Sequence, residues 1–291
     1  MSTPSLSLSA LPVRRLTPRD TTLCADLSHD RGWPREEHKW GLLLAAGTAY
    51  GMDAPDGNGL LSTCVVTSYG PPGNPDLQAV GMVLVAARYA RRGVGRHLMR
   101  HVLMEAGSTP LTLHATANGR PLYEELGFET VGGVESLQGV FTPGGPEPRI
   151  ATRPATAEDL PAILHLDGAV FGSDRTHVIT RLPAFADRLR VAEERGRLIG
   201  YGGIWPNTGA EMVGPLIARD TETALALIAS LAAGATRPVR VDVDARHEGV
   251  LSWLRDRGLA PSFHNDVMTY GTKELPGDWT RRFAPLTVAA G

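Results

Sequence analysis

The chain has 291 residues, about twice the length of a typical domain, and its 42% hydrophobic and 21% charged residues exclude a disordered chain. Its 29 basic and 31 acidic side chains leave a net charge of −2. No overall field therefore favours nucleic acid or an anionic membrane as a partner.

The two cysteines, Cys24 and Cys64, have no CxxC spacing and no neighbouring base. This pattern argues against a zinc site, a disulfide framework and a cysteine nucleophile, so we expect no metal and no covalent intermediate. No apolar run approaches the roughly 20 residues that cross a bilayer, and we expect a cytoplasmic protein.

The first half of the chain alternates strand and helix patterns. In chain order we predict a strand over 13–16, a helix start at 17–20, a helix over 35–46, strands over 47–52, 59–69 and 77–87, a helix over 94–106, a strand over 111–115, a helix over 121–125 and a closing strand from Phe128. Clusters of Gly, Pro and Asp separate the three central strands, as hairpins require.

The second half repeats this order after a segment rich in Pro and Gly at 141–148. It opens on a strand and a helix start, where Thr156 and Asp159 have the spacing of a capping box. Strands over 189–192, 198–204 and 211–217, a helix over 221–232, a strand over 239–243, a helix over 248–257 and a strand over 261–270 follow.

The repeated order predicts an α+β fold with two similar domains in tandem. The predicted domains are residues 1–142 and 149–272, with a C-terminal tail over 273–291. Each domain is expected to have a mixed, mainly antiparallel central sheet flanked by helices.

The chemistry is concentrated in the turn that precedes the helix at 94–106. Its residues are Arg91, Arg92, Gly93, Val94, Gly95 and Arg96. A strand, turn and helix start directs unpaired N–H groups and the positive end of the helix dipole at one point, where a phosphate fits. Gly93 and Gly95 permit unusual backbone angles and close approach of an anion, and the arginines add charge around the rim.

Other nucleotide-binding motifs do not fit this turn. A Walker loop needs a lysine after its second glycine, and a dinucleotide fingerprint needs a third glycine in an early parallel βαβ unit. A GxG pair alone often marks only a tight connection, so the turn needs a second motif to support it.

Residues 119–128 supply that motif, with the sequence Gly-Arg-Pro-Leu-Tyr-Glu-Glu-Leu-Gly-Phe. Together the two segments resemble the GCN5-related N-acetyltransferase (GNAT) superfamily. In that superfamily a Gln/Arg-x-x-Gly-x-Gly/Ala loop wraps the pyrophosphate of acetyl-CoA and a later helix ends in Leu-Gly-Phe. Ala90 stands where Gln or Arg is usual, but Arg91 and Arg92 are close enough to compensate.

The resemblance also implies a catalytic site. The backbone of Leu84, Val85 and Ala86 would pair with the pantetheine arm between two splayed strands. One of their N–H groups would stabilise the oxyanion of the tetrahedral intermediate. Tyr123 would donate a proton to the leaving thiolate, unless its ring only packs against the sheet.

The general base and the acceptor pocket have several candidates, each of which also fits an ordinary surface or core role. The candidate bases are Glu36, Glu37, His38 and His114. Trp33 and Trp40 are candidates to line the acceptor pocket, although Trp on an amphipathic helix more often belongs to the core.

The second half lacks a GxG at the corresponding connection. Asp220 instead stands at the helix start, where it would cap the helix and repel phosphate. We therefore expect this half to bind CoA poorly or not at all. It resembles the degenerate acetyltransferase unit that follows an intact one in tandem members of the superfamily.

Two further groups of residues in the second half are candidates for a functional or structural role. Asp167, Phe171, Arg175 and His177 either shape an acceptor pocket or serve the structure. Arg281, Arg282 and Phe283 lie on the tail, which we expect to pack across the two domains.

These observations predict an N-acetyltransferase that uses acetyl-CoA as cosubstrate. It would transfer the acetyl group directly, in a ternary complex, to a primary amine of a small molecule or a peptide. Two alternatives stay open: a non-enzymatic acyl-CoA sensor or scaffold, and a mycothiol-synthase-like tandem enzyme, which is expected to keep its intact loop in the C-terminal half. No motif encodes the acceptor or the oligomeric state.

Overall fold

A computed structural model describes residue 8, residues 11–144 and residues 149–291 of the chain. Residues 145–148 of the proposed linker lie outside the described residues. Among the described residues, no helix combines the length and the apolar character that a membrane span requires.

The N-terminal half follows the predicted order closely. Its elements are β1 (Arg14–Leu16), α1 (Thr21–Asp30), α2 (Glu37–Ala46), β2 (Thr48–Asp53), β3 (Leu60–Tyr69), β4 (Leu77–Val85), α3 (Val94–Ala106), β5 (Leu111–Ala115), α4 (Arg120–Glu125) and β6 (Glu129–Gly139). The helix α3 and the strand β5 have the predicted bounds.

The C-terminal half repeats this order. Its elements are β7 (Thr152–Pro154), α5 (Leu160–Phe171), α6 (Thr176–Ile179), α7 (Leu182–Phe185), β8 (Arg188–Glu194), β9 (Arg197–Asn207), β10 (Ala210–Ala218), α8 (Thr221–Ala232), β11 (Val239–Asp244), α9 (Glu248–Arg255), β12 (Ala260–Tyr270) and β13 (Arg282–Ala284). The short elements α6, α7 and β13 were not predicted, because three or four residues carry no periodic signal.

Local chemistry explains how each half begins. The Thr156 N–H donates to the Asp159 carboxylate over 2.7 Å, which confirms the predicted capping box ahead of α5. The Thr17 N–H donates to Asp20 over 2.8 Å in the same arrangement ahead of α1. The two halves therefore start on the same capping device.

The sheet is mixed and mainly antiparallel with flanking helices, as predicted, but the two halves share one sheet rather than having one each. The strands form one 13-stranded sheet in the order β1-β2-β3-β4-β5-β12-β6-β11-β10-β9-β8-β7, with β13 beside β10. The strand β12 pairs with β5 of the first half, and β6 pairs with β11 of the second. The strands β6 and β12 have therefore exchanged places between the halves. Each of them still has a neighbouring strand on both sides, so the exchange leaves no strand edge unpaired here.

Helices cover both faces of this sheet, and the two halves share one core cluster. The helix α3 turns the buried side chains of Val94, Leu98, Met99 and Val102 to the sheet at helical spacing. On the opposite face, Tyr69 and Leu77 of the first half share a cluster with Phe171 and Tyr201 of the second. This shared face, here called the inner face, lies between the halves.

The C-terminal tail crosses the inner face from one half to the other. Phe283 lies in the core of the C-terminal half, and Leu286 in the shared cluster. Ala289 and Ala290 pack in the core beneath α1 and α2 of the N-terminal half. The tail therefore packs against both halves.

Candidate functional site

The strands β4 and β5 separate after a short parallel contact, which opens a gap in the sheet. They pair only from Gln78 with Leu111 to Val80 with Leu113. Beyond this point, Met82 has a positive φ of 50° and the register with β3 shifts, so β4 bends away while β5 continues beside β12. We call this gap the N-terminal opening.

The three backbone positions implied by the resemblance lie along the edge of this opening. Leu84 and Val85 belong to the part of β4 that β5 does not reach. The Ala86 N–H donates to the Leu61 carbonyl over 2.9 Å, and the Ala86 carbonyl accepts from the Tyr89 N–H over 2.9 Å. Hydrogen-bonded and free positions alternate along an antiparallel pair, so Leu84 points its N–H to β3 as Ala86 does, and Val85 points its N–H towards the opening.

The turn before α3 has a row of free backbone donors. Arg91 and Gly93 adopt left-handed conformations, with φ of 59° and 80°. In the described part of the chain, no oxygen accepts a hydrogen bond from the N–H groups of residues 91–96, and no side chain caps α3. These donors and the dipole of the 13-residue helix form an anion-binding surface.

The two glycines of the turn have different roles. Gly93 needs its left-handed backbone, and the space where a Cβ would point is open. Gly95 lies within α3, where a Cβ would come within 3.3 Å of Leu122 and 3.5 Å of Val85. Gly93 therefore shapes the turn, whereas Gly95 keeps the helix start close to β4 and α4.

The arginines around the turn are not equivalent. Arg91, Arg92 and Arg96 are all exposed. Arg96 is already paired with Glu125, while the Arg92 guanidinium lies 5.8 Å from the centre of the Tyr89 ring. Within the described residues, Arg91 and Arg92 form no ion pair, so both are available to an anion at the turn.

Tyr123 is buried beneath the same part of the sheet. Its ring lies edge-on to Phe128, with 5.8 Å between the ring centres. Burial raises the pKa of its phenol well above the ordinary value, so the group stays protonated at neutral pH. A protonated phenol is able to donate a proton or a hydrogen bond.

The four candidate bases are scattered rather than gathered. Glu36 pairs with Lys39, and Glu37 pairs with Arg35. The His38 ring stacks on Phe185 and its Nε2 lies 2.8 Å from the Phe185 carbonyl, so His38 joins the two halves.

His114 is the candidate base that lies on a strand bordering the opening. It follows Leu113, the last residue of β5 that pairs with β4, and it faces the inner side of the sheet. Burial lowers the pKa of its imidazole to about 4, so the ring is neutral at neutral pH.

The tryptophans and cysteines take structural positions. Trp40 is fully buried and donates from Nε1 to the Ser28 hydroxyl over 3.0 Å, which fits the core role rather than the pocket role. Trp33 is 37% exposed. Burial raises the pKa of both the Cys24 and the Cys64 thiol to about 12, which leaves neither available as a nucleophile.

The equivalent opening in the C-terminal half is filled by the chain itself. The strands β10 and β11 pair only from Glu211 with Val239 to Val213 with Val241. Past that point β13 pairs with the free edge of β10 and also contacts β11. The tail strand therefore occupies the position that stays open in the N-terminal half.

The helix start beside this filled opening is also occupied. The Asp220 carboxylate accepts from the Thr223 N–H over 2.9 Å and caps α8. The Thr223 N–H is therefore not available to a phosphate, and the negative charge of Asp220 repels one.

The cluster in the second half assembles around an ion pair. Arg175 donates to both carboxylate oxygens of Asp167, over 2.8 and 2.7 Å, and both residues are buried. Tyr201 also hydrogen-bonds to Asp167. Phe171 lies against the Arg175 guanidinium, and the His177 ring centre is 6.1 Å from that of Tyr69. The arrangement is satisfied within itself, as a structural ion pair requires.

The tail covers part of the inner face beside the N-terminal opening. A Cβ on Gly81 would lie only 2.2 Å from the Ala289 carbonyl, so the tail backbone packs directly on β4. Tyr69 donates to the Ala290 carbonyl and Arg175 to the Gly291 carbonyl. A ligand on this face must therefore approach beside the tail.

Two cavities lie beside the tail on the inner face. A small pocket, here called the inner pocket, is lined by Thr112 and His114 of β5 together with Trp279 and Arg282 of the tail. An outer cavity of about 270 Å³ shares Trp279 and Leu275 with it. Sequence reasoning named Arg282 only as a tail residue, because no spacing links the tail to β5.

Comparison with known proteins relates both halves of the chain to acetyltransferase domains. One acetyltransferase (GNAT) domain family matches residues 73–141, and a second acetyltransferase (GNAT) domain family matches residues 163–284. The chain is 29% identical over 239 residues to the uncharacterised N-acetyltransferase YitH of Bacillus subtilis. This match covers 81% of each protein.

Solved structures show the same fold. A putative acetyltransferase from Pyrococcus horikoshii superposes with a TM-score of 0.80 at 18% identity, over 100% of this chain and 99% of that one. A tandem GNAT protein from the clavulanic acid biosynthesis pathway superposes with a TM-score of 0.63 at 14% identity, over 89% of this chain and 98% of that one.

Proposed function

The chain belongs to the GNAT superfamily of acetyltransferases as a tandem member, and we propose that its N-terminal half transfers an acetyl group from acetyl-CoA directly to a primary amine. The observation that carries the proposal is the row of unpaired N–H groups over residues 91–96, beside an opening in the sheet. The C-terminal half has neither feature, since β13 fills its opening and Asp220 caps its helix.

The cosubstrate is held from its diphosphate to its thioester. The diphosphate binds the N–H groups of residues 91–96, with Arg91 and Arg92 at the rim. Hydrogen bonds to a charged group contribute about 1.5–3 kcal/mol each, so a few of them suffice for micromolar binding. The pantetheine arm then follows the free edge of β4 at Leu84 and Val85.

The chemical step is attack of a neutral amine on the thioester carbonyl. The nitrogen forms a bond to the carbonyl carbon, and a backbone N–H of β4 stabilises the oxyanion, a contribution of about 2.7–4 kcal/mol to the barrier. The C–S bond then breaks, and the Tyr123 hydroxyl donates its proton to the leaving sulfur. The proton lost by the amine returns to the phenolate through solvent.

His114 is positioned to receive the acceptor amine. It lies on β5 at the inner side of the opening, and its imidazole is neutral at neutral pH because burial lowers its pKa to about 4. A neutral ring nitrogen accepts a hydrogen bond from an amine and orients its lone pair towards the thioester.

The test measures CoA binding and turnover separately. The purified protein is titrated with acetyl-CoA by calorimetry, and free thiol is followed with a broad panel of amines. One CoA per chain, together with thiol release that depends on an amine, is the expected result. Tight CoA binding without turnover on any amine would favour the sensor, and two CoA per chain would contradict the assignment to one half.

A further inference from the structure

Two carboxylates hold the segment that leads into the anion-binding turn. The Asp30 carboxylate accepts from the Ala87 N–H over 2.6 Å. The Asp56 carboxylate accepts from the Arg88 guanidinium over 2.8 and 3.2 Å, and the same guanidinium donates to the Asn58 carbonyl over 2.6 Å. Because like charges repel, carboxylates so close to a diphosphate site weaken binding unless they serve another purpose.

The backbone N–H groups divide this segment into an anchored part and a free part. The Ala86 N–H donates to the Leu61 carbonyl, the Tyr89 N–H to the Ala86 carbonyl and the Ala90 N–H to the Ala87 carbonyl. From residue 91 to residue 96, the N–H groups have no acceptor in the described part of the chain. The free donors are therefore held in place only as firmly as residues 86–90 are anchored.

Asp30 supplies a cap that the anchored part lacks. Residues Ala87–Tyr89 form a single turn of 3₁₀ helix, and Ala86, which precedes it, has no side chain that caps it. The first N–H of a helical turn has no partner within the turn, and an aspartate is a good acceptor for it. Asp30 fills this role from the helix α1, 57 residues earlier in the chain.

The position of Asp30 does not favour its own helix. It is the last residue of the 10-residue helix α1, at the negative end of the helix dipole, where a carboxylate is unfavourable. Among the described residues, its carboxylate has no hydrogen bond or ion pair other than the one to Ala87. Asp30 therefore stabilises the segment before the turn rather than α1.

Resting on the proposed function, we propose that Asp30 is a positioning residue for acetyl-CoA, which holds the N–H groups of residues 91–96 in the arrangement that the diphosphate requires. The Arg88–Asp56 pair anchors the same segment from the connection between β2 and β3. A ligand that binds one conformation of a turn loses affinity in proportion to the time that the turn spends in others. Asp30 keeps that time short without touching the cosubstrate.

The first test measures the affinity of the full-length protein for acetyl-CoA by calorimetry. Asp30→Ala is expected to bind about 5- to 10-fold more weakly, the effect of one exposed hydrogen bond to a charged group. Asp30→Asn keeps an acceptor oxygen and loses the repelling charge, so it should bind at least as tightly as the unmodified protein. Tighter binding by Asp30→Ala would mean that Asp30 acts only through charge repulsion, and would overturn the proposal.

Turnover separates positioning from catalysis. In Asp30→Ala, the KM for acetyl-CoA is expected to rise by the same factor as the dissociation constant, while kcat at saturating acetyl-CoA stays unchanged, because the bound turn has the same conformation in both proteins. A lower kcat with an unchanged KM would place Asp30 in the chemical step and contradict a positioning role.

The second test needs no acetyl-CoA, so it separates this proposal from the proposed function. Arg91 and Arg92 are exposed in the turn, and trypsin cleaves after arginine where the backbone is free to open. The Asp30→Ala protein is expected to be cut there several-fold faster than the unmodified protein, as followed by mass spectrometry. Equal cleavage rates would overturn the proposal. Faster cleavage in a protein that binds no acetyl-CoA would refute the proposed function, and the CoA-binding role of Asp30 with it.

Two controls distinguish the turn from the fold. Asp26→Ala removes an exposed carboxylate one turn earlier on α1, which pairs with Arg35 rather than with the turn, and should change neither CoA affinity nor the cleavage rate. Asp30→Ala should melt at or above the temperature of the unmodified protein, since it removes a negative charge from the negative end of α1. A lower melting temperature would mean that Asp30 supports the whole fold, and would contradict the proposal.

Discussion

The two halves share one strand-turn-helix arrangement but treat its anion-binding end in opposite ways. In the first half, β4 leads into the turn 91–96, whose N–H groups are free. In the second, β10 leads into α8, and Asp220 caps the helix while β13 fills the gap in the sheet. In a repeated fold, the location of the site therefore depends on which backbone groups remain unpaired, rather than on the elements themselves.

The largest expected effect is the loss of stability caused by a substitution in β13, the strand that fills the opening of the C-terminal half. Phe283 is 1% exposed in the core of that half, and Phe283→Ala should lower the free energy of unfolding by about 3–5 kcal/mol through the lost packing and the cavity. Urea unfolding measures this change. Phe263→Ala, at a 38% exposed position, should cost less than about 1 kcal/mol. Equal costs at the two positions would mean that β13 does not belong to the core.

The second-largest expected effect is the loss of CoA affinity caused by a substitution in the turn of the N-terminal half. Gly93→Val forces a β-branched residue into a left-handed conformation and should weaken CoA binding about 100-fold, as measured by calorimetry. Gly209→Val is the matched control, because Gly209 also has a left-handed backbone, with φ of 77°, and open space around it. Unchanged affinity in Gly93→Val would remove the turn from the site.

A pH dependence distinguishes His114 from its counterpart Asp242, which follows the last paired residue of β11. The folded pKa of His114 is lowered to about 4, against about 6.5 unfolded, so the unfolded chain binds the extra proton between these values. The contribution of His114 to the free energy of unfolding should be fully present above pH 6.5. The free energy of unfolding should then fall by about 2–3 kcal/mol as the pH falls to 4.

His114→Gln should flatten this part of the stability profile. His29→Gln, at an exposed histidine of α1, should leave the profile unchanged. Denaturant unfolding at several pH values measures both, and identical profiles for the two variants would contradict a buried neutral imidazole at position 114.

The smallest expected effect concerns the proton donor. Tyr123 lies on α4, and counting back from the Gly-Phe and Gly-Leu pairs that end the two helices places Leu254, without a hydroxyl, at the equivalent position of α9. Tyr123→Phe should lower kcat about tenfold without changing CoA affinity, since a thiolate is already a good leaving group. Tyr270→Phe, whose ring lies beside Phe128, is the control. An unchanged kcat in Tyr123→Phe would leave Tyr123 with a packing role only.

Much of the local structure could be predicted from sequence. The bounds of α3 and α8 and of the strand β5 agree with the patterns, because helical periodicity and caps are carried by residues close in the chain. The glycine turn was found for the same reason. The separate roles of Gly93 and Gly95 were not, since only one of them has a positive φ and the other is limited by contacts with Leu122 and Val85.

The sequence by itself determined the repeated order of elements, the turn 91–96 and the absence of that turn from the second half. Only the tertiary structure decided that β6 and β12 are exchanged, that β13 fills the second opening and that Arg282 meets Thr112 in one pocket. These features join residues far apart in the chain, and strand edges and unpaired donors take their partners from whatever the whole fold brings close.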